Sequence, residues 1–188
     1  MPGAHNWRPI GVPPGGRLPP ALRQWIETPG SLTARMRRRC GSGFHVVVLG
    51  EHWGRPWRDE ALRLGIRTGR YTWVREVLLC NGAKPWIYAR SVIPPETLAG
   101  PLRRLRRLGR TPLGRVLFGR YPIRRGPIEV ARLGTADGLC RRALEQAGVR
   151  PRWARRSVFR AGDRALLVSE AFLPPLRENS DDEARPWQ

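Results

Sequence analysis

The sequence is poor in lysine, in acidic residues and in cysteine, and it has no long apolar run. Each shortage excludes something. Of 35 basic residues only Lys84 is a lysine, and the chain is rich in Gly, Ala and Pro, the composition that GC-biased coding produces. Such bias accounts for Arg over Lys, but not for 35 basic residues against 15 acidic ones and a net charge of +20. Cys40, Cys80 and Cys140 are odd in number, far apart and never in a C-x-x-C pair, so neither a disulfide framework nor a zinc knuckle is expected. A reducing cytoplasm is the expected location. His5, His45 and His52 lack HExxH-type spacing, so no metal is expected, and His45, in an apolar run, reads as a packed structural histidine. No apolar stretch approaches the ~18 to 20 residues of a membrane helix. The first twenty residues hold no h-region of a secretory signal, so neither a membrane span nor export is expected.

What is present points to a folded protein. A chain of 188 residues suits one domain, which can bury roughly 70% of its unfolded surface. Apolar residues at 40% and eight tryptophans are too much for a disordered polycation. The tail from Arg177 to Gln188 holds four of the 15 acidic residues and two of the 35 basic ones, which leaves residues 1–176 at +22. A field of that sign attracts a phosphate backbone or a small dicarboxylate alike.

Residues 1–17 are Pro/Gly-rich and are expected to be flexible, and residues 177–188 to be a disordered acidic tail; the folded unit is placed at 18–176. Two short helices are read at PPALRQWIETPG and, N-capped by Ser31 and ended by Gly41, at SLTARMRRRC. FHVVVLG reads as a strand, WRDEALRLG as at most a helical turn. YTWVREVLLC and KPWIYARSVIP around Asn81-Gly82 signal a hairpin. Leu98, Leu102, Leu105 and Leu108 recur at helical spacing with Pro101 as a possible break. TPLGRVLF is a further turn of helix, YPIRRGPIEVARL one or two strands, ADGLCRRALEQAG a helix. RWARRSVFR and DRALLVSEAFLPP form a closing hairpin around Ala161-Gly162. Adjacent hairpins with separate helices give an α+β fold on an antiparallel sheet.

Strand side chains alternate between faces, so a charge in phase with large apolar neighbours points into the core. Arg75 is in phase with Trp73, Val77 and Leu79; Arg90 with Trp86, Tyr88 and Val92; Glu170 with Leu166, Val168 and Phe172. A buried charge needs a partner or a ligand. An Arg75–Glu170 structural ion pair and an anion site both satisfy that need, and Arg90 is long enough to snorkel to water. As a site, two arginines and a carboxylate suit a small hydroxylated organic acid, because Arg forks a carboxylate and Glu accepts from an alcohol or exchanges a proton. LRRLRRLGR, with Arg103, Arg104, Arg106 and Arg107, reads as a solvated helix face without interleaved stacking aromatics. No P-loop, dinucleotide glycine motif or nucleophile elbow is present.

WVREVLLC with KPWIYARSVIP, then GRTPLGRVLF, IEVARL, and RWARRSVFR with ALLVSEAFLP, in this order over about residues 72–175, resemble the chorismate lyase family, with a weaker match at SLTARM. The resemblance implies conversion of chorismate to 4-hydroxybenzoate and pyruvate, the first committed step of ubiquinone biosynthesis. It also implies a six-stranded antiparallel sheet, a ligand enclosed under helical flaps, no metal or organic cofactor, and a monomer. On it, Arg75 binds the carboxylate, Glu170 faces the hydroxyl side, Leu113 contacts ligand from a flap, and Arg90 is a second active-site arginine, expected to help at the enolpyruvyl end. Leu32 stands where the best-known members have a methionine against the ligand, a change of small cost. Residues 134–150 are an apparent insertion, either a surface helix or a change in the cover of the site.

Two other classes stay open. Effector domains of some transcription regulators resemble this fold without its chemistry, but the Pro-rich first 70 residues hold no convincing winged helix-turn-helix. A nucleic-acid-binding protein predicts affinity that falls steeply with salt; no specific nucleic acid is expected.

Overall fold

The computed structural model describes residues 7–15, 17–119 and 121–176. The expected tail at 177–188 and the first six residues lie outside them. Eight described strands form one antiparallel sheet: β1 (Arg8–Pro9), β2 (Phe44–Gly54), β3 (Thr72–Asn81), β4 (Lys84–Ile93), β5 (Arg124–Arg125), β6 (Glu129–Arg132), β7 (Trp153–Ala161) and β8 (Arg164–Phe172). The order is β1-β6-β7-β8-β4-β3-β2, with β5 paired beside β6 on β7. Six strands are expected and found; the two extra are β1 and β5, each only two residues long. Pairs that short carry no alternation that a sequence could display. The Pro/Gly-rich start therefore reaches the sheet, with Arg8 opposite Val130.

Both predicted hairpins form, β3–β4 with Asn81 opposite Lys84 and β7–β8 with Ala161 opposite Arg164. Gly82 and Gly162 take positive φ at 52° and 62° in these turns, where a side chain would be strained. Helices cover both sheet faces. On the front lie α1 (Pro20–Ile26), α2 (Leu32–Cys40), two 3-10 segments (Pro95–Leu98 and Gly100–Arg107) and α4 (Gly114–Leu117). Leu22, Trp25, Ile26, Leu32 and Met36 pack on Val77, Leu79 and Ala89, and Leu98, Leu102, Leu105 and Leu108 on Phe159, Leu166 and Val168. On the back lie α3 (Arg58–Leu64) and α5 (Gly138–Ala147). Leu139, Cys140 and Ala143 of α5 meet Leu78, Tyr88, Ala154 and Ala171 there.

Three local readings change, and α5 supplies the first of the two alternatives left open for the apparent insertion. The leucines at 102, 105 and 108 have the three-residue period of a 3-10 helix, and that is the helix they make. WRDEALRLG is a helix of seven residues rather than a turn, steadied where the Glu60 carboxylate accepts from the Trp57 N–H at 2.8 Å. His45 is exposed on edge strand β2 instead of packed. Residues 138–147 of the apparent insertion cover the back of the sheet.

Candidate active site

The cavity grows out of strand parity. Along β3, odd residues face front, and Arg75, Val77 and Leu79 project there; their partners across the sheet continue the same floor. One transverse row runs Glu51–Arg75–Ser91–Val168–Ser157 and the next runs Val48–Val77–Ala89–Glu170–Arg155. A bulge on β2 between Val48 and Gly50 inserts one residue, and this shift brings Glu51 rather than Gly50 opposite Arg75. Over the floor close Leu32 at the start of α2 and Pro112, Leu113, Gly114 and Leu117 around α4. They enclose a cavity of about 50 Å³, room for more than one water. Ser31 accepts from the Ala34 N–H at 3.2 Å to cap α2, and Gly114 sits so close to it that a Cβ there would collide with Ser31 Oγ. Outside, a groove of about 780 Å³ between α2 and α4 shares Ser31, Thr33 and Gly114 with the cavity and is rimmed by Arg37, Arg38 and Arg115.

The charged lining is Arg75, Arg125, Arg155 and Glu170. Arg75 is 2% exposed. It pairs with Glu51 through Nη1, and its Nη2 donates to the carbonyls of Gly109 at 2.9 Å and Thr111 at 3.2 Å, tying down the strap that leads to Leu113. Burial lowers its pKa against the opposing pull of Glu51. Glu170, 15% exposed at its side chain, accepts from Arg155 Nε at 2.7 Å. Arg155 Nη1 also donates to the carbonyls of Trp25, Ile26 and Thr28 at 3.3, 3.1 and 2.9 Å, tying the C-terminal end of α1 and the turn after it to the sheet. Arg75 and Glu170 thus line one cavity without pairing to each other, and each has its own partner.

Leu113 and Leu32 line the cavity with them. Arg90 does not, and its expected place among them is corrected. Arg90 is an even residue of β4 while Ala89 and Ser91 face the cavity, so its side chain goes through the back of the sheet. There Arg90 donates to Glu60 at 2.8 and 3.2 Å and to Glu76 at 3.2 Å, with the guanidinium 4.0 Å from the Trp57 ring centre. Arg142 of α5 reaches Glu76 at 2.7 Å, and Tyr88 donates to the same carboxylate. This is a separate buried ion network. Arg155 and Arg125 also line the cavity, and neither is among the residues expected there from the sequence.

Among the described residues no group of three His, Cys, Asp or Glu is placed to hold a metal ion. No described helix is long and apolar enough to cross a membrane.

Fold and site define an α+β protein with one antiparallel sheet whose front face encloses a small, arginine-lined chamber. The chorismate lyase family model matches residues 16–180, and the chain belongs to that family. A "Probable chorismate pyruvate-lyase" of Halorhodospira halophila is 46% identical over 178 residues, 93% of this chain and 92% of that one. One of Azoarcus sp. is 48% identical over 167 residues, 86% and 88% of the two chains. Among solved structures, the C-terminal domain of the histidine utilization repressor from Pseudomonas syringae pv. tomato is similar with a TM-score of 0.49 at 12% identity, over 70% of this chain and 92% of that one.

Proposed function

We propose that this protein is a chorismate lyase, converting chorismate to 4-hydroxybenzoate and pyruvate. The observation that carries the reading is that Arg75, Leu113, Leu32 and Glu170, from four separate segments of a chain of this family, line the same enclosed cavity. Chorismate is a dianion, and a lining of three guanidiniums and one carboxylate suits it.

The reaction removes the ring hydrogen on the carbon that bears the hydroxyl and expels the enolpyruvyl group from the neighbouring carbon. Aromatisation drives it, so the protein's work is to orient the dianion and stabilise charge on the leaving group. Arg75 receives the ring carboxylate. Glu170, at the far end of the cavity floor, meets the hydroxyl, accepting its hydrogen bond or taking the proton. Arg90, behind the sheet, has no direct part in this reading. No metal or organic cofactor is required. A cytoplasmic location and a monomeric state complete the proposal, supported by the three free cysteines and the family.

The test is incubation of the purified protein with chorismate, following 4-hydroxybenzoate by absorbance and pyruvate by a coupled assay. Both should appear in equal amounts. A folded sample that yields neither overturns the reading, and one that binds 4-hydroxybenzoate without turnover is a ligand sensor.

A further inference from the structure

Three guanidiniums line the cavity, and two of them have a carboxylate: Arg75 has Glu51 and Arg155 has Glu170. Arg125 is different. Its Nε donates to Ser157 Oγ at 2.9 Å and its Nη1 to the carbonyls of Thr28, Pro29 and Gly30 at 3.2, 3.1 and 3.5 Å. All of these acceptors are neutral. Among the described residues it has no carboxylate at salt-bridge distance, and Nη2 has no hydrogen-bond partner. A half-buried cation held only by neutral groups, with one edge of its fork unused on a chamber wall, is arranged for an anion. Burial and the neighbouring Arg155 charge, against the smaller pull of the Glu170 charge, push its pKa down to about 10, a penalty that a bound anion would relieve further.

The position decides which anion. Arg75 stands at one end of the row Arg75–Ser91–Val168–Ser157 and Arg125 is hydrogen-bonded to the other, three strand spacings or roughly 14 Å away along the floor. Arg125 shares its end with Arg155 and Glu170. In chorismate the ring carboxylate lies across the ring from the hydroxyl, whereas the enolpyruvyl ether is on the carbon next to the hydroxyl. A ligand with its ring carboxylate at Arg75 and its hydroxyl at Glu170 therefore carries its second carboxylate on the Arg125 side. We infer that Arg125 binds the enolpyruvyl carboxylate, the role that Arg90 cannot fill from behind the sheet. This rests on the chorismate reading above. It makes Arg125 a residue that recognises substrate but not product, because 4-hydroxybenzoate has lost the group it holds.

The experiment compares two stable probes, 4-hydroxybenzoate and the dianion 3-(carboxymethoxy)-4-hydroxybenzoate, by isothermal titration, alongside chorismate kinetics. Arg125→Gln should weaken the dianion and raise KM for chorismate about tenfold to a hundredfold, the range of one or two charge-assisted hydrogen bonds. Its 4-hydroxybenzoate affinity should move less than threefold. Equal weakening of both probes makes Arg125 only a staple of the 28–30 loop and overturns the inference, as does no change in either. If Arg125→Gln does not fold, Arg125→Lys decides: it keeps the charge and loses the staple, so the dianion should stay within about fivefold, and parallel loss of both probes again overturns it. Wild-type protein that fails to turn over chorismate defeats the functional reading instead, a result separate from either variant's behaviour.

Discussion

Three of the five N–H groups of Arg75 are committed to Glu51, Gly109 and Thr111, which leaves two for a ligand carboxylate. Arg75→Ala is therefore expected to weaken 4-hydroxybenzoate binding about tenfold to a hundredfold by titration calorimetry. The same substitution strands Glu51, so Glu51→Gln is the companion measurement, expected to keep product affinity within a few-fold. Glu170→Gln preserves shape and an acceptor oxygen but cannot take a proton; kcat should fall by roughly 10² to 10⁴, and an unchanged kcat would remove the proton role. Arg75 and Glu170 are legible in the sequence because a charge in phase with Trp73, Val77, Val168 and Phe172 has to be buried. Arg90 obeys the same rule and is misplaced by it, since this sheet is covered on both faces and burial does not say which one. Arg155 obeys it too, in phase with Trp153, Ser157 and Phe159, and could be found that way. Arg125, in a two-residue strand, offers no phase at all.

At the scale of elements, hairpins with N-G or A-G turns and the capped helix α2 can be read directly, because their determinants are local. Helix α3 is only partly legible: its Glu60–Trp57 cap is local, but seven residues are too few to hold a helix alone, and the added hold on Glu60 comes from Arg90 thirty residues away. The contact of α4 with the start of α2 is not legible, and it depends on Gly114. Gly114→Ala should force Ser31 aside, loosening the α2 cap by about 1 kcal/mol and holding the flap open; product affinity should drop while the sheet's far-UV spectrum stays the same. The back network makes a different prediction. Burial alone would raise the Glu76 carboxyl, but the hydrogen bonds from Arg142 and Tyr88 and the Arg90 charge hold it down at about 2. Its folded pKa lies below the ordinary carboxylate value of 4.5, so it stabilises the fold above pH 4.5 and that contribution, at most ~3 kcal/mol, is lost between pH 4.5 and 2. The difference in Tm between wild type and Glu76→Gln should accordingly be large at pH 7 and shrink through that window; a constant difference would contradict the ion network.

At the scale of the whole molecule, the unresolved feature of the sequence is its net charge of +20. Composition leaves nucleic acid and small anions equally served, and the fold adds a reason to favour the second. Arg37, Arg38 and Arg115 rim the groove that leads to the cavity, and the lining behind them is itself net positive. A dianion approaching such a mouth is drawn along a rising potential, an effect on capture rather than on chemistry. Salt shortens the reach of that field, from ~30 Å at 0.01 M to ~10 Å at 0.1 M. The value of kcat/KM for chorismate should then fall several-fold over this range while kcat holds steady. Reversing one rim charge, Arg37→Glu or Arg115→Glu, should lower kcat/KM and flatten its salt dependence. Arg141→Glu changes net charge by the same amount from α5, on the sheet's other face, and should do much less. If all three reversals act alike, the rim has no special part and the charge works only as an overall field. If salt changes nothing, the basic balance does not serve the substrate, and its cause lies elsewhere on the surface.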